Sequence, residues 1–218
     1  PSPVHFTPLL DESHVDGKAL ETLILEEYRR AGITRDRVDT GAVIVTGETS
    51  RKENAQAVTE TLSRLSGDFV VTTAGPDLES SLAARGSGAV SYSRETGKTL
   101  LHMDIVGGTA NLALIRKGNI EATGCLNVGG RLVKFAPDGE RIYVSPVLDG
   151  LWQGGSTEEL TRRLAKVLEA AAGLGEDPWL KRLTTSGTAR LPLNAPGERV
   201  IPSFSGGVAD CIRADYPP

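Results

Sequence analysis

Apolar positions follow two rhythms along the chain. Over residues 17–30, Leu20, Leu23, Ile24 and Tyr28 recur at helical spacing, with Glu21, Glu26, Glu27 and Arg29 largely off that face. Asp16 is placed to cap the start of this helix and Gly32 its end. Residues 42–46 and 69–73 are short apolar, β-branched runs and predict buried strands. Between them, Ser50-Arg51-Lys52-Glu53 is a capping-box pattern that opens a helix. Val58, Leu62 and Leu65 form its apolar face and Gly67 its end. After the second strand, Ala74-Gly75-Pro76-Asp77 turns into a short helix carrying Leu78 and Leu82. Strand, helix, strand, helix with short joints predicts an α/β layer with parallel strands.

Residues 86–97 are polar and rich in Gly and Ser, and are expected to divide two lobes, 1–97 and 98–218. The second part changes style. Residues 100–106, 112–115 and 120–126 are strand candidates joined by Gly107-Gly108 and Lys117-Gly118-Asn119, which predicts an antiparallel meander. Residues 132–135 read as the start of a helix, Pro137-Asp138-Gly139-Glu140 as a turn and residues 142–147 as a strand. A second capping box, Ser156-Thr157-Glu158-Glu159, opens the most regular helix, with Leu160, Leu164, Val167, Leu168 and Ala171 on one face. Asp177-Pro178 opens another through Trp179, Leu180 and Leu183. Residues 200–204 form the last predicted strand, closed by Ser205-Gly206-Gly207 before a short helical end.

Composition narrows the function classes. A chain of 218 residues buries a real core in one or two domains. The net charge of −4 supplies no basic face for nucleic acid. No run approaches the ~18 apolar residues of a membrane span. The start, Pro1-Ser2-Pro3-Val4, has no initiator Met and no signal-peptide pattern, and reads as the middle of something longer. Cys125 and Cys211 stand far apart and read as buried free thiols of a reducing compartment. His5, His14 and His102 share no zinc-ligand spacing, and His102 reads as a strand residue.

Three short motifs bear on chemistry. Gly97-Lys98-Thr99 resembles the end of a phosphate loop, but Tyr92 stands where the leading Gly belongs and the Lys precedes a strand, so it is set aside. Asp104 ends one apolar run, and Gly107-Gly108-Thr109 bends the chain into the next. Glycine backbone N–H groups can approach phosphate oxygens, a carboxylate can hold hydrated magnesium or orient water, and Thr109 can donate to phosphate. The same residues also make an ordinary hairpin whose Asp faces solvent. Ser205-Gly206-Gly207 would let a base or ribose pack on the backbone, or is simply a tight strand-to-helix turn. Ser205 lacks the Gly-x-Ser-x-Gly context of a nucleophile.

Together these motifs resemble the actin-like ATPase superfamily. More closely, several stretches resemble the reactivating factor of ethanolamine ammonia-lyase. They include Ser2-Pro3-Val4-His5-Phe6-Thr7-Pro8, Val38-Asp39-Thr40-Gly41-Ala42, Gly67-Asp68-Phe69-Val70-Val71 and Ala74-Gly75-Pro76. In the second half they are Gly107-Gly108-Thr109-Ala110-Asn111, Cys125-Leu126-Asn127-Val128-Gly129-Gly130-Arg131-Leu132 and Ser205-Gly206-Gly207-Val208. The resemblance implies two lobes of ribonuclease-H-like α/β fold with ATP and magnesium in the cleft between them. It implies a chaperone-like factor that exchanges damaged cobalamin on the lyase for adenosylcobalamin, in the cytoplasm and beside the ethanolamine microcompartment. The partner is the lyase, with cobalamin met indirectly. By resemblance Asp104, Gly107, Gly108 and Thr109 form the second phosphate hairpin, with Asp104 at magnesium or the hydrolytic water. Gly206 and Gly207 match the adenosine-side glycines.

Departures from the family pattern qualify this. The first phosphate hairpin, an Asp-x-Gly-Thr turn, is absent, and the family continues beyond Ser205-Gly206-Gly207-Val208, so the chain reads as a fragment lacking both ends. The resemblance implies ATP hydrolysis for full-length members, and such a fragment is not expected to hydrolyse ATP by itself. Val106 stands where the pattern has Gly, which disfavours positive φ. Pro202 lies in a strand, where it removes a ladder hydrogen bond unless the strand is an edge. Two other functions share these residues: a module that binds the lyase without hydrolysis, and a small-molecule kinase.

Overall fold

The computed structural model describes residues 5, 7–11, 14–45, 54–55, 58–59, 63, 69–187 and 199–212. They divide into two compact units, Pro1–Gly75 and Pro76–Pro218. In the first, helix α1 (Gly17–Ala31) starts where the Asp16 side chain accepts the Lys18 and Ala19 N–H groups, each at 3.0 Å. It ends at Gly32, whose left-handed φ of 66° turns its N–H back onto the Arg29 carbonyl. Strands β1 (Gly41–Val45) and β2 (Phe69–Thr73) pair in parallel, as the alternation predicted. Val15, Val45 and Val58 form a small core against which Leu20 and Ile24 of α1 pack. The capping box at Ser50, with Leu62, Leu65 and Gly67, lies outside the described residues.

The second unit holds a five-stranded sheet in the order β8-β5-β4-β3-β9. Its strands are β3 (Thr99–Ile105), β4 (Ala110–Arg116), β5 (Asn119–Leu126), β8 (Thr184–Gly187) and β9 (Val200–Ser205). The predicted meander is β3-β4-β5, antiparallel throughout, while β9 runs parallel to β3. Among the described residues β9 is an edge strand, which explains how it tolerates Pro202. One face presents Leu101, Met103, Leu112, Leu114 and Leu126 to helices α4 (Thr157–Ala171) and α5 (Trp179–Leu183). Burying each such side chain contributes about 2 kcal/mol relative to exposure. The predicted stripe of α4 is buried at Leu160, Leu164, Val167 and Ala171, and Ser156 caps the helix by accepting the Glu158 N–H. The opposite face packs Leu100, Ala113 and Ile115 against Ala84, Ala89 and Val90. These come from α2 (Pro76–Gly86) and α3 (Ala89–Thr96).

Several local expectations are corrected. Residues 132–135 start no helix: Val133–Phe135 is strand β6, paired with β7 (Arg141–Val144) around a turn in which Gly139 takes φ +88°. A four-residue stretch with three apolar positions has no period of its own, and the strand across the adjoining turn supplied the pairing. The Gly- and Ser-rich stretch over 86–97 contains helix α3, bracketed by Gly88 and Gly97, both left-handed. Ala89, Val90 and Ser93 bury against the sheet, so these glycines punctuate a helix. Along the chain the first compact unit ends at Gly75 and the second begins at Pro76, and α2 and α3 belong with the sheet that follows them. Strand β8 had no sequence signal. Cys125 is buried as expected, whereas Cys211 is exposed on a single 3-10 turn (Ala209–Ile212) that buries nothing.

Candidate nucleotide site

Because β3 and β9 run parallel with Asp104 opposite Ser205, the loops that follow them emerge at the same end of the sheet. The Asp104 hairpin and Ser205-Gly206-Gly207, about a hundred residues apart in sequence, therefore meet. The Ser205 hydroxyl donates to Asp104 Oδ1, and the Val208 N–H donates to the Ile105 carbonyl at 3.2 Å. Gly206 has φ +84°, and a Cβ there would lie 2.4 Å from the Ile105 carbonyl oxygen and 3.0 Å from Asp104 Oδ1. Only glycine fits that approach. Asp104 is half-buried rather than solvated, which separates it from the Asp of an ordinary hairpin tip.

The turn itself is closed by the Val106 N–H donating to the Thr109 carbonyl at 3.0 Å. Neither Gly107 nor Gly108 is left-handed, and neither is Val106. The β-branched side chain of Val106 therefore suits its backbone, and the positive φ feared for that position does not arise. What the glycines contribute is room: a Cβ on Gly108 or on Gly207 would meet nothing within 4 Å. Thr109 is half-buried at the entry to β4.

A third segment supports the hairpin from below. The Gly130 N–H donates to the Val106 carbonyl at 2.9 Å and the Arg131 N–H to the Gly107 carbonyl at 2.7 Å. A Cβ on Gly129 would stand 2.5 Å from the Gly107 carbonyl oxygen, so this residue is held to glycine by backbone contact. The aliphatic stem of Arg131 runs along Gly107, with its Cδ 3.5 Å from the position a Cβ would take there. A cavity of about 450 Å³ adjoins, lined by Ile105, Gly129, Gly130, Leu160 and Val208 among others.

Two polar side chains beside Asp104 carried no site role in the sequence: Asn111, and His102, which read as a strand residue and is one. Asn111 lies directly across the β3–β4 pair from Asp104 and is 1% exposed. Neither polar atom of its carboxamide meets a hydrogen-bonding partner among the described residues. His102, also 1% exposed, contacts Ser203 Oγ through Nδ1 at 2.9 Å and Ser205 Oγ through Nε2 at 3.0 Å. Burial holds the imidazole below its ordinary value, and the nearby Asp104 charge offsets this only in part. The available signal was the register. Residues 102 and 104 share a face, and a parallel neighbour bearing Ser203 and Ser205 had to place hydroxyls beside them.

Comparison with known proteins places these features. A family model described as ethanolamine utilisation protein EutA matches residues 1–217. The chain is 38% identical over 225 residues to the ethanolamine ammonia-lyase reactivase EutA of Escherichia coli K12, covering 97% of this chain and 47% of that protein. The corresponding reactivase of Salmonella typhimurium LT2 is 36% identical over the same shares. The chain thus spans about half the length of the curated relatives it matches. Among solved structures, an exopolyphosphatase-like protein gives a TM-score of 0.48 at 16% identity, covering 74% of this chain and 48% of that one. The Ppx/GppA family member of Aquifex aeolicus gives 0.47 at 16% identity, covering 73% and 46%. The Asp104 hairpin, the Gly129 support and the Gly206 turn all fall inside the family match, and the chain belongs to the EutA family of ethanolamine utilisation proteins.

Proposed function

We propose that the full-length protein built on this chain is an ATP-dependent, chaperone-like reactivating factor of ethanolamine ammonia-lyase. It exchanges damaged cobalamin for adenosylcobalamin in the cytoplasm, beside the ethanolamine microcompartment. The observation that carries this reading is the meeting of the Asp104 hairpin with the Gly206 turn at one end of a sheet. Two glycine-bearing loops, one carboxylate and one hydroxyl suit a triphosphate with its metal.

The residues fit such a ligand. Gly107, Gly108 and Thr109 would meet phosphate oxygens, with open space above Gly108. Asp104 would hold hydrated magnesium or orient water. Among the described residues no cluster of three or more His, Cys, Asp or Glu could cage a metal, so magnesium would take most of its ligands from phosphate and water. Gly206 and Gly207 would face the adenosine. Bound ATP would supply the free energy of phosphoryl transfer. This chain's residues would orient the reacting groups, and the nucleotide's different affinity for open and closed states would drive the change passed to the lyase.

The test is reactivation of cobalamin-inactivated lyase by full-length protein with ATP and magnesium. Recovery above an ATP-free control is expected, and Asp104→Asn should reduce it at least about a hundredfold. Recovery no better than the ATP-free control sinks the reading. A second reading shares these residues: a module that holds the lyase without hydrolysis. Phosphate release from ATP–magnesium by the full-length protein separates the two, because a module that only holds the lyase releases none.

A further inference from the structure

We propose that His102 is a positioning residue for Asp104, acting through Ser205. The inference rests on the reading of Asp104 as the carboxylate that meets magnesium or water. Strand alternation puts His102 and Asp104 on the face that carries Leu100, Ala113 and Ile115, where apolar neighbours are the rule. Instead, parallel β9 sets Ser203 beside His102 and Ser205 beside Asp104. The result is an unbroken chain of contacts from Ser203 through His102 and Ser205 to Asp104.

Proton counting gives this chain a direction. An ionised carboxylate only accepts, so the single hydroxyl proton of Ser205 goes to Asp104 Oδ1. The 3.0 Å contact between Ser205 Oγ and His102 Nε2 then needs its proton from the ring, which makes His102 the Nε2–H tautomer. Nδ1 is left bare and accepts from the Ser203 hydroxyl at 2.9 Å. His102 thus holds a lone pair of Ser205 and leaves its hydroxyl proton one destination. Asp104 is fixed by one oxygen, and the close approach of Gly206 limits its movement on the same side. A carboxylate fixed in this way enters the reaction already oriented.

The experiment uses the full-length protein. Long-range proton–nitrogen NMR of the wild type should show the Nε2–H tautomer of His102, and the Nδ1–H tautomer overturns the proposal. ATP hydrolysis at saturating ATP and magnesium should fall about tenfold in His102→Leu, as for other residues that orient a metal-facing ligand. It should recover to within about threefold of wild type in His102→Gln, whose amide supplies a donor again. Ser205→Ala should match His102→Leu, and the double variant should be no worse than Ser205→Ala alone. A histidine that merely fills the core would give independent, additive losses and no rescue by Gln, and that result overturns the proposal. If the wild type hydrolyses no ATP, the nucleotide reading fails. The tautomer, and its change in Ser205→Ala, then still decide whether the chain of contacts exists.

Discussion

The two faces of the five-stranded sheet are built from alternate residues of the same strands, yet only one changes character along its length. Beneath α4 and α5 the face is apolar from end to end, with Leu101, Met103, Leu112, Leu114 and Leu126 all buried. Beneath α2 and α3 it begins apolar, with Leu100, Ala113 and Ile115. It ends in a row across the strands that is polar at Ser205, Asp104 and Asn111 and closes at the buried thiol of Cys125. The first face exists to hold the sheet together. The second gives up cohesion at the end where the glycine loops emerge, and leaves a buried carboxamide without a partner among the described residues, at a cost of about 1–3 kcal/mol. Such a cost is retained where a group serves binding or chemistry rather than stability.

Substitutions on the two faces should therefore differ in sign as well as size. Leu112→Ala, at a site 1% exposed on the apolar face, should cost about 3 kcal/mol in urea unfolding. A cost under about 1 kcal/mol would show that this face is loosely packed. Gly206→Ala should cost about 2 kcal/mol, because the methyl group meets the Ile105 carbonyl and the backbone is left-handed. Gly207→Ala, with nothing within 4 Å, should stay within about 0.5 kcal/mol of wild type. Equal effects at the two glycines would mean that the turn is not pressed onto β3.

Asn111→Leu should stabilise the protein by about 1 kcal/mol, since a side chain of similar shape replaces an amide with no partner among the described residues. Hydrogen-exchange protection of the β4 amides would report the gain, and a loss would mean the amide is well bonded in solution. The smallest effect is a pH dependence. The unfolded imidazole of His102 takes a proton near 6.5, and the folded one only at lower pH. Unfolding therefore takes up a proton between those values. The contribution is fully present above pH 6.5 and is lost as pH falls through the lower, folded value. The melting temperature should drop more between pH 7.5 and 5.5 in wild type than in His102→Gln, and parallel drops would refute it.

Much of the architecture was legible because it is local. Asp16 and Gly32 delimit α1, Ser156 starts α4, and the parallel pairing of β1 and β2 follows from the alternation of elements. The meander followed from short joints between apolar runs. Where a run was too short to have a period, as at residues 132–135, a neighbouring strand decided between helix and strand. Gly88 and Gly97 looked like a linker because glycine marks a helix end and a flexible joint alike. The candidate site divided in the same way. Asp104, Gly107, Gly108, Thr109, Gly206 and Gly207 stood out by residue type, whereas Gly129, Asn111 and His102 gained meaning only from what lies across from them.

By itself the sequence determined the α/β class, the helix caps, the three-stranded meander and membership of the EutA family. These rest on interactions within a few residues, or on motifs read along the chain. Only the tertiary structure decided that β9 lies parallel to β3, with Ser205 opposite Asp104. That pairing joins residues about a hundred positions apart, and no local propensity encodes it. It turned two glycine turns and a histidine of no particular promise into one connected candidate site.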